Sequence, residues 1–292
     1  MSDLARPWRS VLYVPGSNPR AIEKVRSTPC DAVILDLEDA VAPAQKEAAR
    51  TAVVAALAGG GFGMCGVLVR INDLGSPWGA NDIAALSGSG VNSLLLPKVN
   101  GADDIARLDG LLHRDGGFSD SAVWAMVETP RAIVRAHEIA AAPKVAGLVM
   151  GTNDLAKDLR CDLGQDRAAL MHALQTAVVA ARAEGRIIID GVYNAFRDED
   201  GLRAECAQGR AFGFDGKSLI HPAQVAIANT VFAPSHEDVD LAHRQIYAYE
   251  EAQKTGQGVA VLEGRIVENL HVDQARRLIG LATAIAEREA AQ

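Results

Sequence analysis

Short apolar runs alternate with longer stretches that carry apolar residues at helical spacing. Several runs, such as AVIL, SLLLP and GLVMG, are apolar at consecutive positions, as expected for strands covered on both faces. Eight runs can be counted: Ser10 to Val14, Ala32 to Leu37, Val67 to Ile71, Ser93 to Leu96, Val123 to Val127, Ala146 to Met150, Ile187 to Asp190 and Gly216 to Ile220. Helical patterns between them include Pro19 to Ser27, Gln45 to Ala58, Asp166 to Ala183 and Gly201 to Phe212. Eight such units predict an α/β fold of the (β/α)8 TIM barrel type.

The pattern changes after the eighth run. Pro222 to Phe232 is predicted as the last barrel helix, and Pro234 with Ser235 marks a break after it. A charged helix follows at Glu237 to Lys254, then a hairpin centred on Glu263 and Gly264, and a final helix at Val272 to Glu289. We therefore predict a catalytic barrel at 1–233 and a C-terminal helix, hairpin and helix extension at 234–292. The extension is too small to bury a core of its own, so it should pack on the barrel or on a neighbouring subunit. We expect a homo-oligomer, a trimer or hexamer.

Composition narrows the class of partner. Hydrophobic residues make up 49% of the chain and charged residues 23%, a balance that supports a large buried core. The net charge of −8 argues against nucleic acid or a membrane surface as a partner. An anionic substrate would therefore need basic residues placed close to it.

Two further features bear on location. The N-terminus lacks the apolar stretch of a signal peptide, which favours a cytoplasmic protein. The uncharged run Ala52 to Val69 is long enough for a membrane helix, but its five glycines favour a helix end, a loop and a strand. The four cysteines are widely spaced and form no zinc-binding pattern, so we interpret them as reduced and structural.

Polar residues follow the predicted strands, where the active sites of (β/α)8 enzymes lie. In chain order they include Pro15, Gly16, Ser17, Asn18, Arg20 and Lys24, then Asp36, Glu38 and Asp39, then Arg70 and Asn72, Pro97 and Lys98, Glu128 and Thr129, Gly151, Thr152, Asn153 and Asp154, Asp190, Tyr193 and Asn194, and His221. A single polar residue at a strand end is usually a helix cap or a solvated loop residue. Acidic and basic residues that converge on one rim are harder to explain by capping.

Glu128 and Asp154 end adjacent predicted strands. Two carboxylates of this kind suit a hard cation that fills its other octahedral positions with water and substrate, as magnesium does. The alternative is that Asn153 and Asp154 cap the helix that follows.

The strand-end segments RSVLYVPGSNPRAIEKV, DAVILDLEDAV, VLVRIND, LLLPKV, WAMVETPRAI and VMGTNDLAKDL resemble the citrate lyase β-subunit-like branch of the HpcH/HpaI aldolase family. The resemblance covers nearly the whole chain. The later segments GVYNAFRDEDGLRAECAQGR and GRIVENLH resemble most closely the (3S)-malyl-CoA thioesterase members of that branch.

The resemblance implies a magnesium ion held by Glu128 and Asp154, with Glu38 and Asp39 ordering its bound water. It also implies that Arg70 and Glu128 contact an acyl-CoA substrate, the guanidinium fork of Arg70 suiting a carboxylate or enolate. The first loop is similar to the segment that holds coenzyme A in the family. The residues concerned are Tyr13, Pro15, Gly16, Arg20 and Lys24.

The chain departs from the family pattern in its tail. Lyase and synthase relatives carry an acid/base aspartate in a G-R-M-I-D-x-P segment, whereas this chain has Glu268 there and Leu270 in place of the proline. The longer side chain favours activation of water, so we expect thioester hydrolysis of a malyl-CoA-like substrate. The alternatives are a C–C lyase for malyl-CoA, β-methylmalyl-CoA or citryl-CoA, a free-acid aldolase, and the β-subunit of a citrate lyase complex.

Overall fold

A computed structural model describes residues 6–118, 121–164 and 166–291. The first five residues of the predicted barrel segment, and Gln292 at the end of the predicted extension, lie outside the described residues. The chain divides into two compact units. The larger unit is Trp8–Phe232, and the smaller contains 233–291 with Arg6 and Pro7.

Eight parallel strands form a closed barrel in chain order, each strand pairing with the next and β8 pairing with β1. They are β1 Ser10–Pro15, β2 Ala32–Asp36, β3 Gly66–Arg70, β4 Ser93–Leu96, β5 Ala122–Val127, β6 Val145–Met150, β7 Ile187–Asp190 and β8 Gly216–Leu219. Each strand begins and ends within one residue of its predicted apolar run. The predicted (β/α)8 fold is confirmed.

Helices follow the strands and cover the barrel. They are α1 Pro19–Val25, α2 Lys46–Gly59, α3 Gly79–Leu86, α4 Ala102–Asp115, α5 Pro130–Val134, α6 Ala136–Ala141, α7 Thr152–Leu159, α8 Met171–Ala183, α9 Glu199–Phe212 and α10 Val225–Phe232. The helix predicted from Asp166 begins later, at Met171. Arg167 has a φ of 54°, and the left-handed region breaks the helical path at this point.

Alternation along the strands divides the core into two layers. Side chains such as Ile34, Leu68 and Ile189 fill the barrel interior together with the rings of Trp8 and Trp124, which are tilted by 50° with their centroids 4.6 Å apart. The residues between them in sequence face the helices and join a larger apolar layer. The barrel is therefore packed solid below its rim, which leaves the carboxyl ends of the strands for a site.

The smaller unit has α11 His236–Lys254, the antiparallel hairpin of β9 Ala260–Leu262 and β10 Arg265–Val267, and α12 Asn269–Ala290. Ser235 caps α11 through a reciprocal pair of hydrogen bonds with Asp238, which explains why the sequence breaks here. A small core of Tyr249, Val267 and Val272 joins helices and hairpin. Val261 and Ile266 of the hairpin are exposed.

Among the described residues no helix has the length and apolar character needed to cross a membrane. The run from Ala52 to Val69 includes the end of α2 at Gly59 and the start of β3 at Gly66, as the glycines predict.

Gly147 offers a test of barrel packing, because it lies beside Trp124 on the neighbouring strand. A Cβ at Gly147 would lie 2.3 Å from the Trp124 ring, which Trp8 prevents from moving aside. We expect Gly147→Ala to lower the free energy of unfolding by about 1–3 kcal/mol in urea titrations. The control is Gly110→Ala in α4, where a Cβ meets nothing within 4 Å. That variant should be unchanged or more stable by up to about 1 kcal/mol, and an equal loss in both would contradict the packing argument.

Candidate active site

A cavity of about 320 Å³ opens at the carboxyl ends of the barrel strands. Its lining combines acidic, basic and apolar side chains: Tyr13, Asp36, Asp39, Ala40, Arg70, Met126, Glu128, Met150, Gly151, Thr152, Asn153, Asp154, Val192 and Ile220. The structure therefore brings together five of the predicted site residues, contributed by the ends of five different strands.

Arg70 is held rigidly by Asp36, which the parallel register places directly beside it on the neighbouring strand. Nε and Nη2 of Arg70 each donate to one Asp36 oxygen at 2.6 Å, and the side chains are almost fully buried. Asp36 also accepts from the backbone N–H groups of Glu38 and Ala40. The bidentate edge of the guanidinium is thus occupied within the protein, and Nη1 is the nitrogen that turns to the remaining acidic groups.

Nη1 of Arg70 lies 3.1 Å from Glu38 Oε2 and 3.5 Å from Asp39 Oδ2. Three carboxylates consequently share one guanidinium. Burial raises the pKa of the Glu38 carboxyl to about 8; the charge of Arg70 lowers this pKa, and the hydrogen bond and negative charge of Asp39 raise it. Glu38 therefore holds a proton at neutral pH and can donate or accept one there.

Glu128 follows β5, Asp154 lies in the first turn of α7 after β6, and Lys98 contacts both carboxylates. The ammonium of Lys98 lies 2.8 Å from Asp154 Oδ2 and 3.6 Å from Glu128 Oε1. Glu128 is 1% exposed, and burial is the main reason that its pKa is raised, against the lowering effect of Lys98. The pair already attracts a cation in the structure.

The donor set fits magnesium. Both groups offer hard carboxylate oxygens, and the cation bound between them in the structure is the lysine ammonium. Within 6–118, 121–164 and 166–291, no cluster of three or more His, Cys, Asp or Glu side chains could hold a metal.

The alternative that Asn153 or Asp154 caps α7 is not what the structure shows. Gly151 is the N-cap residue, and no side chain accepts a hydrogen bond there. Asp154 lies in the first helical turn, where the helix dipole also favours its negative charge.

Two glycines permit the close approaches that the rim requires. A Cβ at Gly151 would lie 2.5 Å from Glu128 Cβ and 2.6 Å from Glu128 Oε2. A Cβ at Gly16 would lie 2.8 Å from the Asp36 carbonyl oxygen, to which Gly16 donates its own N–H. These positions accept no side chain without displacing a site residue or its strand.

A buried lysine supports the loop that carries Glu38 and Asp39. Nζ of Lys46 donates to the carbonyls of Leu37 and Glu38 and to Asn72 Oδ1, all within 2.8 Å. Asn72 in turn donates to Asp82. The loop is fixed by side chains from three elements.

The first loop contributes unequally to this cavity. Tyr13 lines it, with Arg70 4.9 Å above the centre of its ring. Pro15 ends β1 and Gly16 follows, whereas Arg20 and Lys24 are exposed on α1 and are not part of the lining. The apolar part of the wall comes from Met126, Met150, Val192 and Ile220.

Asp190, which the sequence also places at a strand end, belongs to a separate buried cluster. Lys217 donates to Asp190 and Glu205, and Arg167 contacts the same two acids. Lys217 Nζ also donates to the Gly191 carbonyl, whose N–H donates to Asp190. The cluster fixes the backbone directly before Val192 in the cavity wall.

Sequence reasoning identified Asp36 and Lys98 as strand-end residues but gave neither a role, and it missed Met126. The role of Asp36 could have been found from the sequence, because aligning the predicted strands β2 and β3 places Asp36 opposite Arg70. The place of Met126 in the cavity lining could not have been found, because an apolar residue inside a strand predicts only a position in the hydrophobic core.

Glu268 lies in the smaller unit, exposed between β10 and α12. It is the N-cap residue of α12, and its backbone N–H donates to His271 Nδ1 at 3.0 Å. The position is fixed by the hairpin and the helix start on either side of it.

Comparison with known proteins agrees with this architecture. The chain is 51% identical over 286 residues to a (3S)-malyl-CoA thioesterase of Cereibacter sphaeroides, covering 98% of both chains. It is 35% identical to the citrate lyase subunit beta of Escherichia coli, over 97% of this chain and 96% of that one. The crystal structure of CitE from Mycobacterium tuberculosis in complex with magnesium, acetoacetate and coenzyme A superposes with a TM-score of 0.78 at 32% identity, over 95% of this chain and 98% of that one.

Residues 9–222 match the HpcH/HpaI aldolase/citrate lyase family, and this span includes every strand of the barrel and all residues of the cavity lining. With the full-length relatives above, the match shows that the chain belongs to the HpcH/HpaI aldolase/citrate lyase family.

Proposed function

We propose that this chain is a magnesium-dependent enzyme that hydrolyses the thioester of (3S)-malyl-CoA or a close β-hydroxyacyl-CoA. The observation that carries the proposal is the juxtaposition of the Glu128 and Asp154 carboxylates with the Arg70 guanidinium in one rim cavity. The thioesterase relative, 51% identical over nearly the full length, supports the reaction. The coenzyme A in the related CitE complex supports the substrate class.

Glu128 and Asp154 would hold the magnesium ion. Bound there, magnesium supplies Lewis-acid stabilisation of the negative charge that develops on substrate oxygens. Glu38 and Asp39, which both contact Nη1 of Arg70, would orient water in the cavity. Since Asp36 fixes the guanidinium of Arg70, its Nη1 meets an anionic substrate oxygen without a loss of side-chain entropy.

The coenzyme A part would follow the first loop. Tyr13, Pro15 and Gly16 bring the β1 end to the cavity edge, and the exposed charges of Arg20 and Lys24 would attract phosphates. This gives a chain of net charge −8 a local basic surface for an anionic ligand.

Hydrolysis requires a base that takes a proton from water as its oxygen bonds to the thioester carbonyl carbon. The C–S bond then breaks, and the coenzyme A sulfur leaves as a thiolate that accepts a proton. We assign the base role to Glu268, which is exposed between β10 and α12 and is the N-cap residue of α12. Glu38 and Asp39 would share the second proton transfer.

The smaller unit is the part of the chain suited to contact a neighbouring subunit. Its hairpin exposes Val259, Val261 and Ile266, and Leu270 is half exposed at the start of α12. Exposed apolar groups this close together favour burial against another surface. A homo-oligomer, a trimer or hexamer, and a cytoplasmic location are part of the proposal.

A second candidate is C–C cleavage, favoured by the relationship to a citrate lyase subunit. The retained carboxylate at position 268 would then protonate the acyl-CoA enolate released by cleavage. The same rim cavity serves both reactions, so the products distinguish them.

The first prediction concerns the metal. Glu128→Gln and Asp154→Asn each remove the charge of a proposed ligand with little change in size, and each should reduce magnesium affinity and turnover by more than about 100-fold. Replacing even the residues that hydrogen-bond to metal ligands lowers metal affinity or activity about 10- to 100-fold. Calorimetric titration and turnover measure both. Asp240→Asn, an exposed carboxylate of α11, is the control and should behave as wild type. Undiminished magnesium affinity in both site variants would remove these residues from the metal site.

The second prediction concerns products. Wild-type enzyme should convert (3S)-malyl-CoA mainly to malate and coenzyme A, and Glu268→Ala should suppress hydrolysis about 100-fold or more. Glu268→Asp introduces the residue that the lyase relatives carry at this position, so it should shift the ratio toward glyoxylate and acetyl-CoA. Glu237→Ala, an exposed glutamate of the same unit, is the control. Mass spectrometry identifies the products, and glyoxylate as the main wild-type product would establish the lyase instead.

The third prediction concerns the proton on Glu38. Its pKa rises from 4.5 to about 8 on folding, so the folded state keeps a proton that the unfolded state releases between these values. The contribution of Glu38 to stability is therefore largest below about pH 4.5 and declines as the pH rises to about 8. Glu38→Gln should gain stability relative to wild type between pH 5 and pH 9 in urea titrations without metal. A stability difference independent of pH would contradict the shift.

A further inference from the structure

Lys98 adopts an uncommon backbone conformation directly after β4. Its φ is 54°, in the left-handed region, although the residue is not glycine. This conformation costs about 1–2 kcal/mol for a residue with a Cβ and persists only where the surroundings impose it. The turn therefore has a structural cause.

The cause is a double contact with the carboxylate pair. The backbone N–H of Lys98 donates to Glu128 Oε1 at 2.7 Å, while its ammonium lies 2.8 Å from Asp154 Oδ2. One residue thus binds both carboxylates, with its main chain to one and its side chain to the other.

A hydrogen-bonded chain holds the turn in place. The Asn100 side-chain amide donates to the Lys98 carbonyl at 2.9 Å, and Thr129 Oγ1 donates to Asn100 Oδ1 at 2.8 Å. Because Thr129 follows Glu128, these bonds tie the backbone of the lysine turn to the backbone of the carboxylate it contacts. The main chain is fixed, whereas the side chain of Lys98 is 31% exposed and has room to move.

We propose that Lys98 is an internal counter-ion that competes with the divalent metal for the Glu128 and Asp154 carboxylates and so sets the metal affinity. The proposal rests on the proposed function, in which these carboxylates hold magnesium. In the metal-free protein the ammonium offsets the repulsion between the two acids. Metal binding displaces the ammonium, and the backbone N–H contact to Glu128 remains.

The physical basis is that the ammonium and the metal need the same oxygens. Asp154 Oδ2 is the oxygen nearest to the lysine and an obvious ligand for a cation between the two acids. A lysine side chain has four flexible carbons, so it can leave the carboxylates without moving the backbone. Removing the ammonium should strengthen metal binding in two ways, since the competitor and its repulsion of the dication are both lost.

The test measures binding of manganese, a paramagnetic divalent probe, by the electron paramagnetic resonance signal of the free ion. Lys98→Met keeps the length of the side chain and the backbone contact but removes the charge. We expect its dissociation constant to fall roughly two- to fivefold, as for loss of one partly exposed ion pair. Lys98→Arg restores a cation and should return the affinity to near the wild-type value.

Lys144→Met is a matched control. Lys144 also has a positive φ, 62°, and its ammonium lies 2.8 Å from Asp109 Oδ1 with a similar exposure of 27%. The control loses a comparable ion pair outside the site and should leave manganese affinity unchanged. A thermal melt without metal checks folding, and the rise in melting temperature on adding manganese should be larger in Lys98→Met than in wild type.

The outcomes separate the two proposals. Manganese binding by wild type that is equal to or tighter than that of Lys98→Met overturns the counter-ion role and leaves the metal site intact. Wild-type binding that persists in Glu128→Gln and Asp154→Asn overturns the metal site and, with it, the role of Lys98. Should Lys98→Met fail to fold, Lys98→Gln provides the same comparison of affinities.

Discussion

An excess of negative charge on the barrel rim is the constraint on which the site depends. The acids are Asp36, Glu38, Asp39, Glu128 and Asp154, and the bases that form ion pairs with their carboxylates are Arg70 and Lys98. Fully ionised, this set carries three negative charges more than positive ones. Asp36, Glu38 and Glu128 are buried, so water relieves little of the repulsion that they experience. A proton on Glu38 and a dication between Glu128 and Asp154 together would remove the excess.

The cluster around Asp190 shows that this imbalance is not a general property of the barrel. There Asp190 and Glu205 face Arg167 and Lys217, so two acids meet two bases. Burial alone would raise the pKa of Asp190, but the positive charges of Lys217 and Arg167 outweigh burial and lower this pKa. A buried ion cluster with a purely structural role can be neutral within itself. The rim set differs because its carboxylates outnumber the bases that pair with them.

Sequence alone predicted the strands closely because consecutive apolar residues mark strands buried on both faces. Convergence of Arg70, Glu128 and Asp154 followed from the barrel, in which all carboxyl ends meet on one rim. What could not be predicted was which groups pair there. The bidentate contact of Arg70 with Asp36 depends on strand register, and the contact of Lys98 depends on a left-handed turn. The late start of α8 has the same kind of cause, a positive φ at Arg167.

The charge on the barrel rim favours both candidate reactions and does not select between them. Thioester hydrolysis and C–C cleavage both develop negative charge on substrate oxygens, and a rim with a bound cation and a fixed Arg70 stabilises either. The reactions differ in where a proton is delivered or removed, which depends on the reach of one acid/base group. That group is not needed to balance the rim, so it can change without loss of the site. In the proposed function the carboxylate at position 268, in a separate unit of the chain, is that group, and one methylene there would alter the reaction while the barrel stays the same.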